Sequence, residues 1–164
     1  MPSDRVRLLF VCLGNICRSP LAAAVFAHCA AARGVSDRFE VESCGTGDWH
    51  VGGPADPRTI AVASRHGVAM THQARQLTPA RDLGRFALIL AMDARNRRDL
   101  LALGAPANSV RLIREFDPAF ATAVTAPDVP DPYSSPDQAF EDVFQMLIPA
   151  CEGLIDEMLP GAPV

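Results

Sequence analysis

Residues 6–20 constrain this chain more than any other stretch. An apolar run of strand length, VRLLFV, passes into the turn CLGNICR and then into Ser19-Pro20 and LAAAVFAHCAAAR. Ser at the cap and Pro at the first helical position predict a helix start, and Gly34 a left-handed end. A strand feeding a helix through a short glycine-bearing turn is half of a βαβ unit, and such units build parallel sheets.

The rest of the chain repeats the alternation. Residues 39–43 (FEVES) read as a second strand and 58–66 as a short helix closed by Gly67. Thr78-Pro79 repeats the cap-then-proline signature. Residues 86–92 (FALILAM) are apolar on both faces, as a central parallel strand requires. Asp93 caps a helix over 94–103 that ends at Gly104, and 110–113 suit a fourth strand. Residues 115–134 read as loop, with prolines at 118, 127, 130 and 132. Ser135-Pro136 starts a last helix to about Met158, and Pro149 should kink or split it. The expectation is an α/β fold with a parallel sheet, helices on both faces, and a single domain over residues 1–164. Ligands in such sheets sit at the carboxyl ends of strands near the topological switch point. That directs attention to residues 11–20, to Met92-Asp93 and to the loop after Ile113.

Composition excludes several classes. The 164 residues are 49% apolar and 21% charged, enough to bury a core without staples. No apolar run approaches the ~18 residues of a membrane span. The N-terminal stretch carries Arg7 within its apolar run and no small-residue cleavage site, so it does not read as a signal peptide. A cytoplasmic protein with no membrane partner is expected. The five cysteines (12, 17, 29, 44, 151) are odd in number and irregular in spacing, and the histidines lack ligand spacing. Neither a disulfide framework nor a metal is expected. All fifteen cations are arginines and lie in residues 1–114, against nine carboxylates; residues 115–164 hold ten carboxylates and no base. A formal net charge of −4 disfavours a nucleic-acid partner. The basic first part suits an anionic small group, and the acidic remainder reads as a solvated helix face.

The turn over residues 12–20 reads as an anion cradle. Gly14 permits a tight turn, successive N–H groups can converge on one point, and the following helix aims its positive end there. Arg18 adds a planar cationic fork suited to phosphate oxygens. The Lys and glycine pair of a nucleotide-binding loop are absent. Cys12 stands at the mouth of the cradle instead. A helix N-terminus and a neighbouring cation favour thiolate over thiol, so a loop that holds a phosphoryl group also suits a sulfur nucleophile. Phosphoryl transfer then needs positioning and charge neutralisation, which N–H groups and Arg18 supply without a cofactor or metal. A leaving oxygen also needs a proton, and the proline-rich Asp128-Val-Pro-Asp131-Pro132-Tyr133 offers carboxylates for it.

With VCLGNICRSP (11–20), SCGTGDWHVGGPADPR (43–58), HQARQL (72–77), AMDARN (91–96) and DPYS (131–134) in this order, the chain resembles the low-molecular-weight protein tyrosine phosphatases over nearly its whole length. The resemblance implies a four-stranded parallel sheet flanked by helices, with the phosphate-binding loop between the first strand and the first helix. It implies Cys12 as nucleophile through a phosphocysteine, Arg18 as the clamp on phosphoryl oxygens, and Asp131 as acid and then base. Ser19 would stabilise the leaving thiolate, and Asn15 would be held by Ser43, Ser19 and His72. Leu13, Gly14, Ile16 and Cys17 would shape the pocket, with Trp49, His50 and Tyr133 gripping an aromatic ring. The resemblance also implies that Cys17 can close a reversible disulfide with Cys12 under peroxide. The expected partners are phosphotyrosine-containing proteins, and phosphate or other oxyanions at the site. Ser134 stands where the family often has a second aromatic.

Three rivals share parts of this pattern. Thiol-dependent arsenate reductases resemble the fold but relay electrons through further cysteines in mid-chain, and none lies between 44 and 151. Protein-arginine phosphatases resemble the loop with Thr where Ile16 stands; Ile fills space against a flat ring. A non-enzymatic phosphate-binding module should have lost Cys12 or Asp131, and both are present.

Overall fold

The computed structural model describes residues 4–160. Residues 1–3 and 161–164, part of the expected domain, lie outside the described residues. The strand β1 (Val6–Cys12) has Leu8, Leu9, Phe10 and Val11 all fully buried, because both of its faces are covered. It lies between β2 (Phe39–Gly45) and β3 (Leu88–Ala91), and β4 (Val110–Leu112) borders β3. Every pairing is parallel, in the order β2-β1-β3-β4. The chain leaves β1 in one direction to make β2, then returns across it to make β3. The switch point therefore falls at the carboxyl ends of β1 and β3.

Helices cover both faces. On one, α1 (Arg18–Ala32), α2 (Pro57–Arg65) and α5 (Gln138–Met158) pack around Leu8, Phe10 and Leu90. On the other, α4 (Ala94–Ala102) and the segment around the short α3 (Pro79–Asp82) enclose Leu9, Val11 and Ile89. The strand alternation thus sends successive β1 side chains to opposite cores. Gly34, at φ +71°, ends α1 as the sequence suggests.

The main departures from expectation are two helix starts and one loop, besides shifts of one or two residues at strand ends. α1 begins at Arg18, not Pro20, with Cys17 at the cap position and no side-chain cap. Ser19 does not cap it, because its hydroxyl is engaged by Cys12 and Asn15. α5 begins at Gln138 rather than at Ser135-Pro136; the Ser135 carbonyl is taken by Arg58, and Pro136 closes a tight turn with the Ala139 N–H. The 115–134 loop contains short 3-10 turns at Ile113–Phe116 and Pro118–Phe120. α5 runs through Pro149, which leaves the Gln145 carbonyl without its helical donor. A stripe of buried side chains, among them Phe140, Phe144, Leu147, Cys151 and Leu154, outweighs that loss by packing on the core. No helix among the described residues is long and apolar enough to cross a membrane.

Candidate active site

The turn that joins β1 to α1 is built around Asn15. Asn15, not Gly14, adopts the left-handed conformation, at φ +57°. Asn tolerates this region better than most residues. Its side chain secures the turn three ways: Nδ2 donates to Ser19 Oγ at 2.9 Å and to Ser43 Oγ at 3.0 Å, and Oδ1 accepts the Arg75 N–H at 3.0 Å. His72 Nε2 donates to the Asn15 carbonyl at 2.6 Å. Burial pushes the His72 imidazole down, opposed by that hydrogen bond. Gly14 has a different task from the expected one. A Cβ there would lie 3.1 Å from the His50 ring. Gly45 matters equally, since a Cβ would lie 2.7 Å from the Leu13 carbonyl. The absence of a side chain lets the end of β2 close on the turn.

Cys12 ends β1 and is 2% exposed. Its Sγ is 2.9 Å from Ser19 Oγ and accepts the Asn15 N–H at 3.3 Å. Cys17 is buried, and that burial, with Asp56, Cys12 and Asp131 nearby, pushes its thiol up to about 12. Among the described residues the cysteines are free.

Arg18 is buried in the first turn of α1 and anchored from two distant segments. One Nη donates to Asp93 Oδ2 at 2.6 Å and to the Val129 carbonyl at 2.9 Å. The other lies 3.8 Å from the Asp131 carboxylate, which is half exposed. Asp131 Oδ1 accepts the Tyr133 N–H at 3.1 Å, a local turn that orients the carboxylate.

These groups meet in a cavity of about 220 Å³. Its base is Cys12, Leu13, Gly14, Cys17 and Arg18. Ile16, Trp49, His50 and Tyr133 supply apolar and aromatic walls, and Asp131 stands at one side. The His50 and Tyr133 rings are 6.2 Å apart. Trp49 is largely exposed and folds over Gly47, where any Cβ would overlap its ring. Asn15, Ser19, Ser43 and His72 stay behind the turn and hold its shape. Among the described residues no group of three His, Cys, Asp or Glu is placed to hold a metal.

Sequence reasoning gives Asp93 a capping role and a place at the switch point, but no contact with Arg18. It does cap α4, and it also holds Arg18. Arg75 and Asp56 carry no role in the sequence reading. The Arg75 contacts with Glu42 and Asp82 and the bond from the Asp56 N–H to Ile16 join separate segments. The Asp56 cap on α2, directly before Pro57, is by contrast a local signal that could have found it. Asp93 had one signal, its place directly after a strand at the switch point.

A doubly covered parallel sheet that presents a thiol, an arginine and a carboxylate at its switch point defines an α/β phosphatase built on a cysteine loop. Comparison with known proteins agrees. Residues 7–160 match the family "Low molecular weight phosphotyrosine protein phosphatase". Low molecular weight protein-tyrosine phosphatase A of Mycobacterium tuberculosis is 43% identical over 157 residues, covering 94% of this chain and 92% of its own. The crystal structure of YfkJ from Bacillus subtilis superposes with a TM-score of 0.85 at 34% identity, covering 96% of this chain and 97% of that one. The arginine phosphatase YwlE, with a phosphorylated active-site serine, has a TM-score of 0.84 at 23% identity, covering 95% and 97%; this likeness is one of fold. The chain belongs to the low molecular weight phosphotyrosine protein phosphatase family, and its activity is that of a protein-tyrosine phosphatase.

Proposed function

We propose that the chain, acting as a single domain, hydrolyses phosphotyrosine in proteins and small aryl phosphates in two steps at Cys12. Cys12 Sγ attacks phosphorus, the S–P bond forms, and the bond to the aryl oxygen breaks. Asp131 gives its proton to the departing phenolate. A water then gives a proton to the Asp131 carboxylate as its oxygen attacks phosphorus. The S–P bond breaks, phosphate leaves and the thiolate returns. Arg18 neutralises the phosphoryl oxygens, and the uncapped start of α1 keeps its N–H groups available to them.

The observation that carries this reading is the convergence of Cys12, Arg18 and Asp131 on one small cavity. The walls favour an aromatic substrate. Ile16 leaves an apolar surface, and Trp49 and Tyr133 are exposed rings at the rim.

Cys12→Ser should abolish turnover of p-nitrophenyl phosphate while inorganic phosphate still raises the melting temperature. Full activity in that variant would refute the nucleophile. Asp131→Ala should lower kcat/KM for phenyl phosphate far more than for p-nitrophenyl phosphate, because kcat/KM reports the first step and a good leaving group needs no proton there. Equal losses would remove the acid role. Phosphotyrosine, phosphoserine and phosphoarginine compared on the same protein test the walls.

A further inference from the structure

The turn that carries Asp131 is held by a residue with no role in the chemistry above. Arg58, in the first turn of α2, donates from Nη2 to the Tyr133 carbonyl at 2.9 Å and from Nη1 to the Ser135 carbonyl at 3.3 Å. Its Nε and Nη2 also reach the two oxygens of Asp56, at 3.1 and 3.0 Å. The guanidinium centre lies 4.3 Å from the centroid of the Phe140 ring and 5.9 Å from that of Tyr133. Asp56 is buried, and its own N–H donates to the Ile16 carbonyl at 2.8 Å. One connected path therefore runs from the cradle through Asp56 and Arg58 to the carbonyls on the C-terminal side of Asp131.

The N-terminal side of the same turn is fixed differently. The Val129 N–H donates to the Met92 carbonyl, and the Val129 carbonyl accepts from Arg18. Asp131 thus hangs between two anchors, Val129 and the Tyr133–Ser135 carbonyls. Removing the second leaves a half-exposed carboxylate on a turn tied at one end. Its own side chain then has only the Tyr133 N–H and the 3.8 Å approach of Arg18 to place it. The clamp needs a planar fork, since it serves two carbonyls and a carboxylate at once. A lysine has a single point charge to offer.

We propose that Arg58 is a positioning residue for proton transfer: it ties the Asp131 turn to the cradle so that the carboxyl stays within reach of the leaving oxygen above Cys12. The proposal rests on Asp131 being the acid. The misplacement that a cut clamp allows is of the kind that costs rate in the step needing the proton and leaves anion binding alone.

The test compares Arg58→Lys, Arg58→Gln and Asp131→Ala on phenyl phosphate and p-nitrophenyl phosphate. Both Arg58 variants should lose about tenfold or more in kcat/KM on phenyl phosphate, which reports the leaving-group step alone, part of the ~10²–10⁴-fold that a general acid contributes. On p-nitrophenyl phosphate they should stay within about threefold, with inhibition by inorganic phosphate equally preserved. In an Asp131→Ala background, Arg58→Gln should add no further loss on phenyl phosphate. Equal losses on both substrates, or an undiminished loss in that background, would overturn the proposal. If Asp131→Ala discriminates between the substrates and the Arg58 variants do not, only the role of Arg58 falls. If Asp131→Ala fails to discriminate, the acid assignment itself falls. A phosphate-induced rise in melting temperature checks that each variant has a formed cradle, and Arg58→Lys, which keeps the charge, guards against a failure to fold.

Discussion

The Arg18 guanidinium lies 2.6 Å from the Asp93 carboxylate, with 3% of its own side chain exposed. The other Asp93 oxygen accepts the Asn96 N–H at 2.7 Å, and Asn96 Oδ1 accepts the Asp93 N–H in return. The capping box of α4 therefore sets the direction in which Asp93 faces, and Asp93 sets where Arg18 points. Asp93→Ala should lower kcat/KM for aryl phosphates by about 10²-fold, the cost of a displaced clamp. It should also lose roughly 1 kcal/mol of stability with the cap. Asp93→Asn keeps the capping oxygen, so it should recover stability more fully than activity. Unchanged kcat/KM in Asp93→Ala would mean that the Val129 carbonyl suffices to hold Arg18.

Ser19 has one hydroxyl proton and two candidate acceptors, Cys12 Sγ at 2.9 Å and the Cys44 carbonyl at 3.4 Å. Asn15 already donates to its oxygen. When the sulfur is anionic, the proton belongs on the shorter contact. Ser19→Ala should therefore slow release of phosphate from Cys12 more than its capture. Stopped-flow mixing with p-nitrophenyl phosphate should reveal a burst followed by a steady rate lowered on the order of 10²-fold. A slow rate with no burst would place the effect in the first step.

Asn15 combines a left-handed backbone with three side-chain hydrogen bonds, and two substitutions separate these contributions. Asn15→Gly relieves the backbone but loses the bonds. Asn15→Ala loses both, and should be less stable than the Gly variant by about 1–2 kcal/mol. Both should bind inorganic phosphate more weakly than the parent, measured by calorimetry. An Ala variant as stable as Gly would argue that the turn has rearranged.

Asp82 is fully buried and sits behind Arg75. Burial acts to raise its carboxyl. The Arg75 hydrogen bonds, the Thr78 N–H and the charges of Arg75 and Arg81 outweigh it, holding the group below the usual carboxylate range. A carboxylate whose folded value is depressed stabilises the fold above the unfolded value of ~3.9, and this contribution is lost as pH falls through the folded value. Thermal unfolding from pH 6 down to pH 2 should show that decline, and Asp82→Asn should flatten it. The Asn variant should already be less stable at neutral pH, by about 1–2 kcal/mol, because Arg75 and the Thr78 N–H lose a charged acceptor while Arg75 keeps Glu42. An Asp82→Asn protein with the same acid limb as the parent would assign the decline to other carboxylates.

Much of the architecture was readable in the chain because it is written locally. Periodicity, cap residues and helix-ending glycines located the four strands and most helices, and Cys12 and Arg18, the two residues singled out in the turn at 12–18, line one cavity. What escaped was written across distance. The start of α1 was misplaced because Ser19, a good cap by type, gives its hydroxyl to Cys12. Ser135 misled for a similar reason, since Arg58 claims its carbonyl. Gly14 is the residue expected to permit the tight turn, yet Asn15 takes its left-handed conformation, with Ser19, Ser43 and Arg75 meeting its side chain there. In each case a side-chain partner outside the local pattern, from Cys12 within the turn to Arg58 and Arg75 far along the chain, decided between two locally acceptable conformations.

The two anchors of Arg18 lie 75 and 111 positions further along the chain. A molecule in which only the first strand, turn and helix have condensed would own the sulfur and the guanidinium but could not aim the latter. Recovery of turnover during refolding should consequently lag the appearance of helical signal, and serve as a clock for arrival of the Asp93 and Val129 segments.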